Sequence, residues 1–215
     1  MGIFDFLKKK RSSESLVNIN QSMAYPIPID ADTPAMEVQD KVFVTDKKFF
    51  GILGIAEEFL SNLTLVETTG HGWTEKYLDK RSGQYWLKYM VDRERGLYYN
   101  LMLLSPRPTT DEMINIAFSS PYPDEIHGVM NRLLLEEEDK NIQYREKVID
   151  RLKTVDITTL DANEKEKIRI IIKAGRLTDT RNKKEVLGKH YTEIEEDVEL
   201  FKKLGQYAEH LLQKL

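Results

Sequence analysis

The sequence predicts an α+β fold: an antiparallel β-meander with a packed helix, followed by a helical C-terminal half. Three observations lead there. Residues 73–104 hold three apolar, aromatic-rich runs, separated by short polar breaks that each end in glycine. The stretch just before them spaces its apolar residues by three and four, as one buried helix face does. Beyond residue 108, helix start signals recur, two of them with the shape of a capping box.

Each element follows from local chemistry. Residues 1–40 are expected to form a flexible tail and extended arm. Ser12, Ser13, Ser15, Asn18 and Asn20 lead into Tyr25-Pro-Ile-Pro-Ile29, where two prolines two residues apart forbid a helix. The sheet-containing part spans 41–108. Val42–Thr45 is a short strand candidate, and Asp46 is placed to cap a helix over about 47–62. Its inner face would be Phe49, Phe50, Leu53, Ala56, Phe59, Leu60 and Leu63. The three strands fall at about Trp73–Leu78, Gln84–Val91 and Leu97–Leu104, with breaks at 79–83 and 92–96. The last two are apolar at most positions, as in Tyr85-Trp-Leu-Lys-Tyr-Met-Val91, and central strands covered on both faces read this way.

The helical part spans 109–215, and no linker separates it from the sheet, so the two are expected to form one compact unit. Thr109 and Glu112 form a capping box for a helix to about Phe118. Pro121-Tyr-Pro123 stops that helix. Asp124 is the expected cap of a helix over about 125–138, with Ile126, Val129, Met130, Leu133 and Leu134 inward. A helix over about 142–152 would bury Tyr144, Val148, Ile149 and Leu152. Asp161 and Glu164 open another, carrying Ile168, Ile171 and Ile172, with Gly175 as its left-handed stop. Residues 176–190 are polar and read as a loop. Thr192 opens a final helix with the stripe Ile194, Val198, Phe201, Leu204, Ala208, Leu211 and Leu215, and Gly205 inside it marks close packing or a bend.

Composition narrows the chemistry. With no cysteine, the chain has no disulfide framework, thiolate metal site or cysteine nucleophile. A net charge of −4 argues against nucleic acid as a partner. The acidity is local: residues 110–215 hold 22 Asp and Glu against 18 Lys and Arg, whereas residues 1–109 hold 14 of each. No metalloprotease, phosphate-loop or nucleophile-elbow motif is present, and no cofactor is expected. His127, three residues after Asp124, invites a shared metal or proton, but a capping role for Asp124 accounts for the pair. His190 has no clear second ligand and reads as surface. Gly70-His-Gly-Trp73 is the most unusual string: its glycines permit positive φ, so His71 either contacts a ligand at a cleft or sits in a simple turn.

Two acidic runs stand out, Glu136-Glu137-Glu138-Asp139 and Glu195–Glu199. They are either solvated helix faces or an electronegative surface for a basic partner. Trp73 and Trp86 are the candidate aromatic anchors inside such an acidic rim. At the N-terminus, Phe4, Phe6 and Leu7 precede Lys8, Lys9 and Lys10, a short amphipathic foot fitted to weak contact with a membrane surface. The order of these groups is not that of a signal peptide, and no run is long enough to span a bilayer.

The strings Ser105-Pro-Arg-Pro-Thr-Thr-Asp-Glu-Met-Ile-Asn-Ile-Ala117 and Ser119-Ser-Pro-Tyr-Pro-Asp-Glu-Ile126 resemble the bacterial immunity proteins of polymorphic toxin systems. The resemblance spans roughly residues 70–153 and transfers no functional residue. It implies a small cytoplasmic, non-enzymatic protein that neutralises a toxin by covering it. The expected function is therefore a protein-binding module, with a basic toxin domain as the partner. Two other classes stay open. One is an enzyme or small-ligand protein using the Gly70–Trp73 turn, and the other is a peripheral membrane adaptor held by residues 1–11.

Overall fold

The computed structural model describes residues 46–91 and 98–215. The expected arm, the Val42–Thr45 strand, the amphipathic foot and the 92–96 break lie outside the described residues. The fold is α+β, with a five-stranded antiparallel sheet in the order β1-β5-β4-β3-β2. Its strands are β1 (Phe49–Phe50), β2 (Thr64–Thr69), β3 (Thr74–Asp79), β4 (Gln84–Met90) and β5 (Tyr99–Leu103). The helices are α1 (Leu53–Leu60), α2 (Thr110–Ser119), α3 (Pro123–Lys140), α4 (Arg145–Lys153), α5 (Ala162–Ala174) and α6 (Tyr191–Lys214). Among the described residues no helix is long and apolar enough to cross a membrane.

The sheet lies between two helical layers of unequal size. Successive side chains of a strand point to opposite faces. Phe49 therefore enters the large core shared with α2 to α6, while Phe50 enters a smaller core with α1, and both are fully buried. This is why the expected helix over 47–62 is cut short. Two adjacent phenylalanines that must both be buried suit a strand, and they pair with Met102 and Leu101 of β5. The helix begins only at Leu53, without Asp46 as its cap. In the small core Phe50 stacks on Phe59, with ring centroids 4.3 Å apart, and Trp86 meets Phe59 edge-on at 4.7 Å.

The first turn of α3 holds the start of the sheet in place. The helix opens at Pro123 with Tyr122 as its N-cap residue, so Asp124 is not the cap. One carboxylate oxygen of Asp124 instead accepts from the backbone N–H groups of Gly51 (2.9 Å) and Ile52 (2.6 Å), and the other meets Lys47 at 3.3 Å. Glu125 accepts from the Lys48 N–H (2.6 Å) and the Ser120 hydroxyl (2.7 Å). Both acids are buried, so these bonds replace the water they lose. Gly51 and Gly128 let strand and helix backbones touch: a Cβ on Gly51 would lie 2.1 Å from the Gly128 nitrogen.

The helical part keeps most of its expected shape. The Thr109–Glu112 and Asp161–Glu164 capping boxes both form. Ile126, Val129, Met130, Leu133 and Leu134 of α3 are buried, as are Tyr144, Val148, Ile149 and Leu152 of α4. Gly175 ends α5 with right-handed geometry, and the left-handed residue is Arg176. The glycine is there for room, since a Cβ would lie 2.5 Å from the Met130 methyl. Gly205 likewise lets α6 approach Thr178 and Thr180. Val198 is 45 % exposed and leaves the expected stripe of α6, and buried Asp197 takes a place in it.

Candidate interaction surface

The structure separates the expected anchors and acids. Trp86 is 1 % exposed and belongs to the small core, because β4 is a central strand covered on that face by α1. It cannot serve a partner as proposed. Glu136 and Glu137 are buried too. Residues 133–137 of α3 are all buried, so the helix is covered all round there and these two carboxylates lie in the interior. Glu136 accepts from Arg107 at 2.7 Å and from Arg132 at 3.1 Å. Glu137 pairs with buried Arg145 at 2.9 Å, and Arg145 also donates to the backbone carbonyls of Arg176 (2.7 Å) and Asp179 (3.4 Å). Burial pushes the Glu137 carboxyl up, against the pull of the guanidinium. Only Glu138 and Asp139 of that run are exposed.

Trp73 and His71 sit together at the tip of the β2–β3 hairpin. Residues Gly70–Gly72 form a single tight turn in which all three have positive φ, His71 at +55°. Trp73 is 40 % exposed and His71 is exposed. His127 lies elsewhere, half-buried on α3, and burial lowers its imidazole pKa more than Asp124 and Glu166 raise it. Among the described residues no group of three or more His, Asp or Glu is placed to hold a metal ion.

An apolar and acidic surface forms where the 176–190 loop enters α6. Val186–Lys189 is a tight turn, closed by the Lys189 N–H donating to the Val186 carbonyl at 3.2 Å. Gly188 takes the φ of +79° that the third turn position requires. This puts Leu187 at the apex, 85 % exposed. The turn is pinned on both sides: Lys184 and Lys189 meet the two carboxylate oxygens of Asp197 at 2.7 and 2.5 Å. Further back, Asp179 accepts from Arg181 at 2.7 Å and meets Lys183 at 3.1 Å. These cations hold the Asp197 and Asp179 carboxyls below the ordinary range. His190, expected on the surface, is exposed there as the N-cap of α6 and shares a capping box with Glu193.

Comparison of the chain with protein-family models, curated proteins and solved structures gives no match. The surface is therefore read from its own chemistry. Val186, Leu187, Tyr191 and Val198 are exposed apolar residues, between 45 and 85 % accessible. Arg181, Lys183, Lys184 and Lys189 pair with the two carboxylates of Asp179 and Asp197, while exposed Glu185, Glu195 and Glu196 make no ion pair among the described residues, so theirs are the carboxylates left for a partner. Sequence reasoning noticed the Glu195–Glu199 run but missed the turn. One signal was available: Asp197 falls in register with Phe201, Leu204 and Ala208, and an acid in an apolar stripe needs a paired cation.

Proposed function

We propose that this chain is a non-catalytic protein-binding module whose partner is basic, met through the Leu187 turn and the first turns of α6. One observation supports this above others: a branched apolar side chain stands in solvent at the apex of a turn fixed by two lysine–aspartate ion pairs. An isolated exposed leucine needs no explanation. A leucine on a pinned turn, in a stretch that also exposes Val186, Tyr191 and Val198, costs little backbone entropy when a partner covers it. The unpaired carboxylates of Glu185, Glu195 and Glu196 would steer a positively charged surface towards it. Occlusion of a toxin domain in the cytoplasm, as the resemblance to immunity proteins implies, is the form of binding we favour.

The test is capture from native lysate by the tagged chain, followed by mass spectrometry, with the Leu187→Asp and Glu195→Lys/Glu196→Lys variants run beside it. A basic partner held at low salt, shed at high salt and lost with either variant is the expected result. A partner that both variants retain, or no partner at low salt, overturns the reading.

A further inference from the structure

Pro121 and Pro123 bracket the corner between α2 and α3, where their rings hold the backbone stiff. A cavity of about 470 Å³ opens between that corner and the first turns of α5. Small-ligand pockets have roughly this size, 300–1,000 Å³. Its walls follow from helix spacing. Ile126 lies one turn beyond Pro123 on α3, and Glu166 and Ile170 lie one turn apart on α5, so each helix turns one row of side chains towards the space. The floor is apolar, since Ile126 and Ile170 are buried members of the large core. The mouth is charged, with exposed Glu164 and Glu166 beside half-buried Lys167. One oxygen of Glu164 accepts from the Asp161 N–H at 3.0 Å, and one of Glu166 meets Arg169 at 3.2 Å. The other oxygen of each makes no hydrogen bond or ion pair among the described residues. Lys167 turns its ammonium to the Phe118 carbonyl, 3.4 Å away. Burial lowers the pKa of His127, next to Ile126, so its ring brings no second positive charge at neutral pH.

We propose that this cavity binds a small organic cation, an ammonium group on a branched apolar body. Charge complementarity selects it. Two carboxylates with an oxygen to spare stand over an apolar floor, so such a ligand buries its hydrocarbon on Ile126 and Ile170 and keeps its ammonium at the mouth. A carboxylate ligand would meet two acids and one lysine already turned to a carbonyl. A neutral alcohol would gain the floor and leave the acids to water. The cavity shares no residue with the Leu187 surface, and its occupation does not depend on a protein partner. Because both acids are exposed, each ion pair adds little, and the ammonium is worth about fivefold in affinity.

Isopentylamine, isopentyl alcohol and isovalerate carry the same apolar body with a cation, a neutral group and an anion. Each is titrated into the full chain at neutral pH while the isoleucine methyl resonances are followed by NMR. The amine should shift the Ile126 and Ile170 methyls saturably and bind about fivefold more tightly than the alcohol, with isovalerate the weakest. In the Glu164→Gln/Glu166→Gln variant, where glutamine can still close the capping box, the amine should fall to the affinity of the alcohol, with an unchanged circular dichroism spectrum. An amine that leaves both methyls unmoved, binds no better than the alcohol, or keeps its advantage in the variant overturns the proposal.

Discussion

Asp124 shows how little a single residue reveals of its work until its neighbours are known. In sequence it has the features of a helix cap, and in the fold it serves backbone groups more than seventy residues earlier. No local pattern encodes such a partner. The same holds for Glu136 and Glu137, whose position in an acidic run suggests a solvated face. Arg132 reaches Glu136 from one turn earlier on the same helix, whereas Arg107 and Arg145 are brought to Glu136 and Glu137 by tertiary packing. Arg145 is the residue whose loss should cost most. Replacing it by Met leaves the Glu137 charge buried and unpaired, which should destabilise the chain by about 3–5 kcal/mol. Replacing Glu137 by Met as well removes that charge, and the double variant should recover most of the loss. Urea titration of the two variants checks both statements. A double variant as unstable as the single one would show that Arg145 acts through packing or its carbonyl contacts, not through the pair.

At the scale of elements, the stripe of α4 is legible because water lies on its other side, and β4 and β5, covered on both faces, are legible as continuous apolar runs. β2 was missed because all six of its residues are exposed, so no alternation marks it. β1 was taken for helix because its two phenylalanines are buried on opposite faces. The loop before α6 is held by charge, which periodicity does not register, and this makes it sensitive to acid. Lys184 and Lys189 lower the Asp197 carboxyl, so the folded state binds the proton less tightly than the unfolded state does. Stability from this pairing is present above the ordinary aspartate value of about 3.9 and is lost as pH falls below it towards the lowered one. Protection of the Lys189 N–H, which closes the turn, relative to the free-peptide exchange rate should therefore fall below about pH 4. In the Asp197→Asn variant that protection should be low at every pH. Protection that is unchanged in the variant would show that the ion pairs do not hold the turn.

At the scale of the molecule, the α+β class was legible because it needs only the order of strands and helices. Residues Phe43–Leu215 form one unit, and the large core joins Phe49, Tyr89 and Met102 of the sheet to residues from α2 to α6. A core shared in this way should melt once. Tryptophan fluorescence, which reports on the sheet through Trp73 and Trp86, and helical circular dichroism should give coincident urea transitions. Two separated midpoints would show that sheet and helices unfold independently. Sharing also bears on the Leu187 turn. Arg145 lies at the start of α4, pairs with α3 and holds the carbonyls of Arg176 and Asp179, at the start of the loop that carries the turn. The turn thus hangs from a junction that exists only when three separate stretches of chain have met. A fragment, or a chain caught half-folded, has nothing to display, so whatever grips Leu187 also inspects the finished protein.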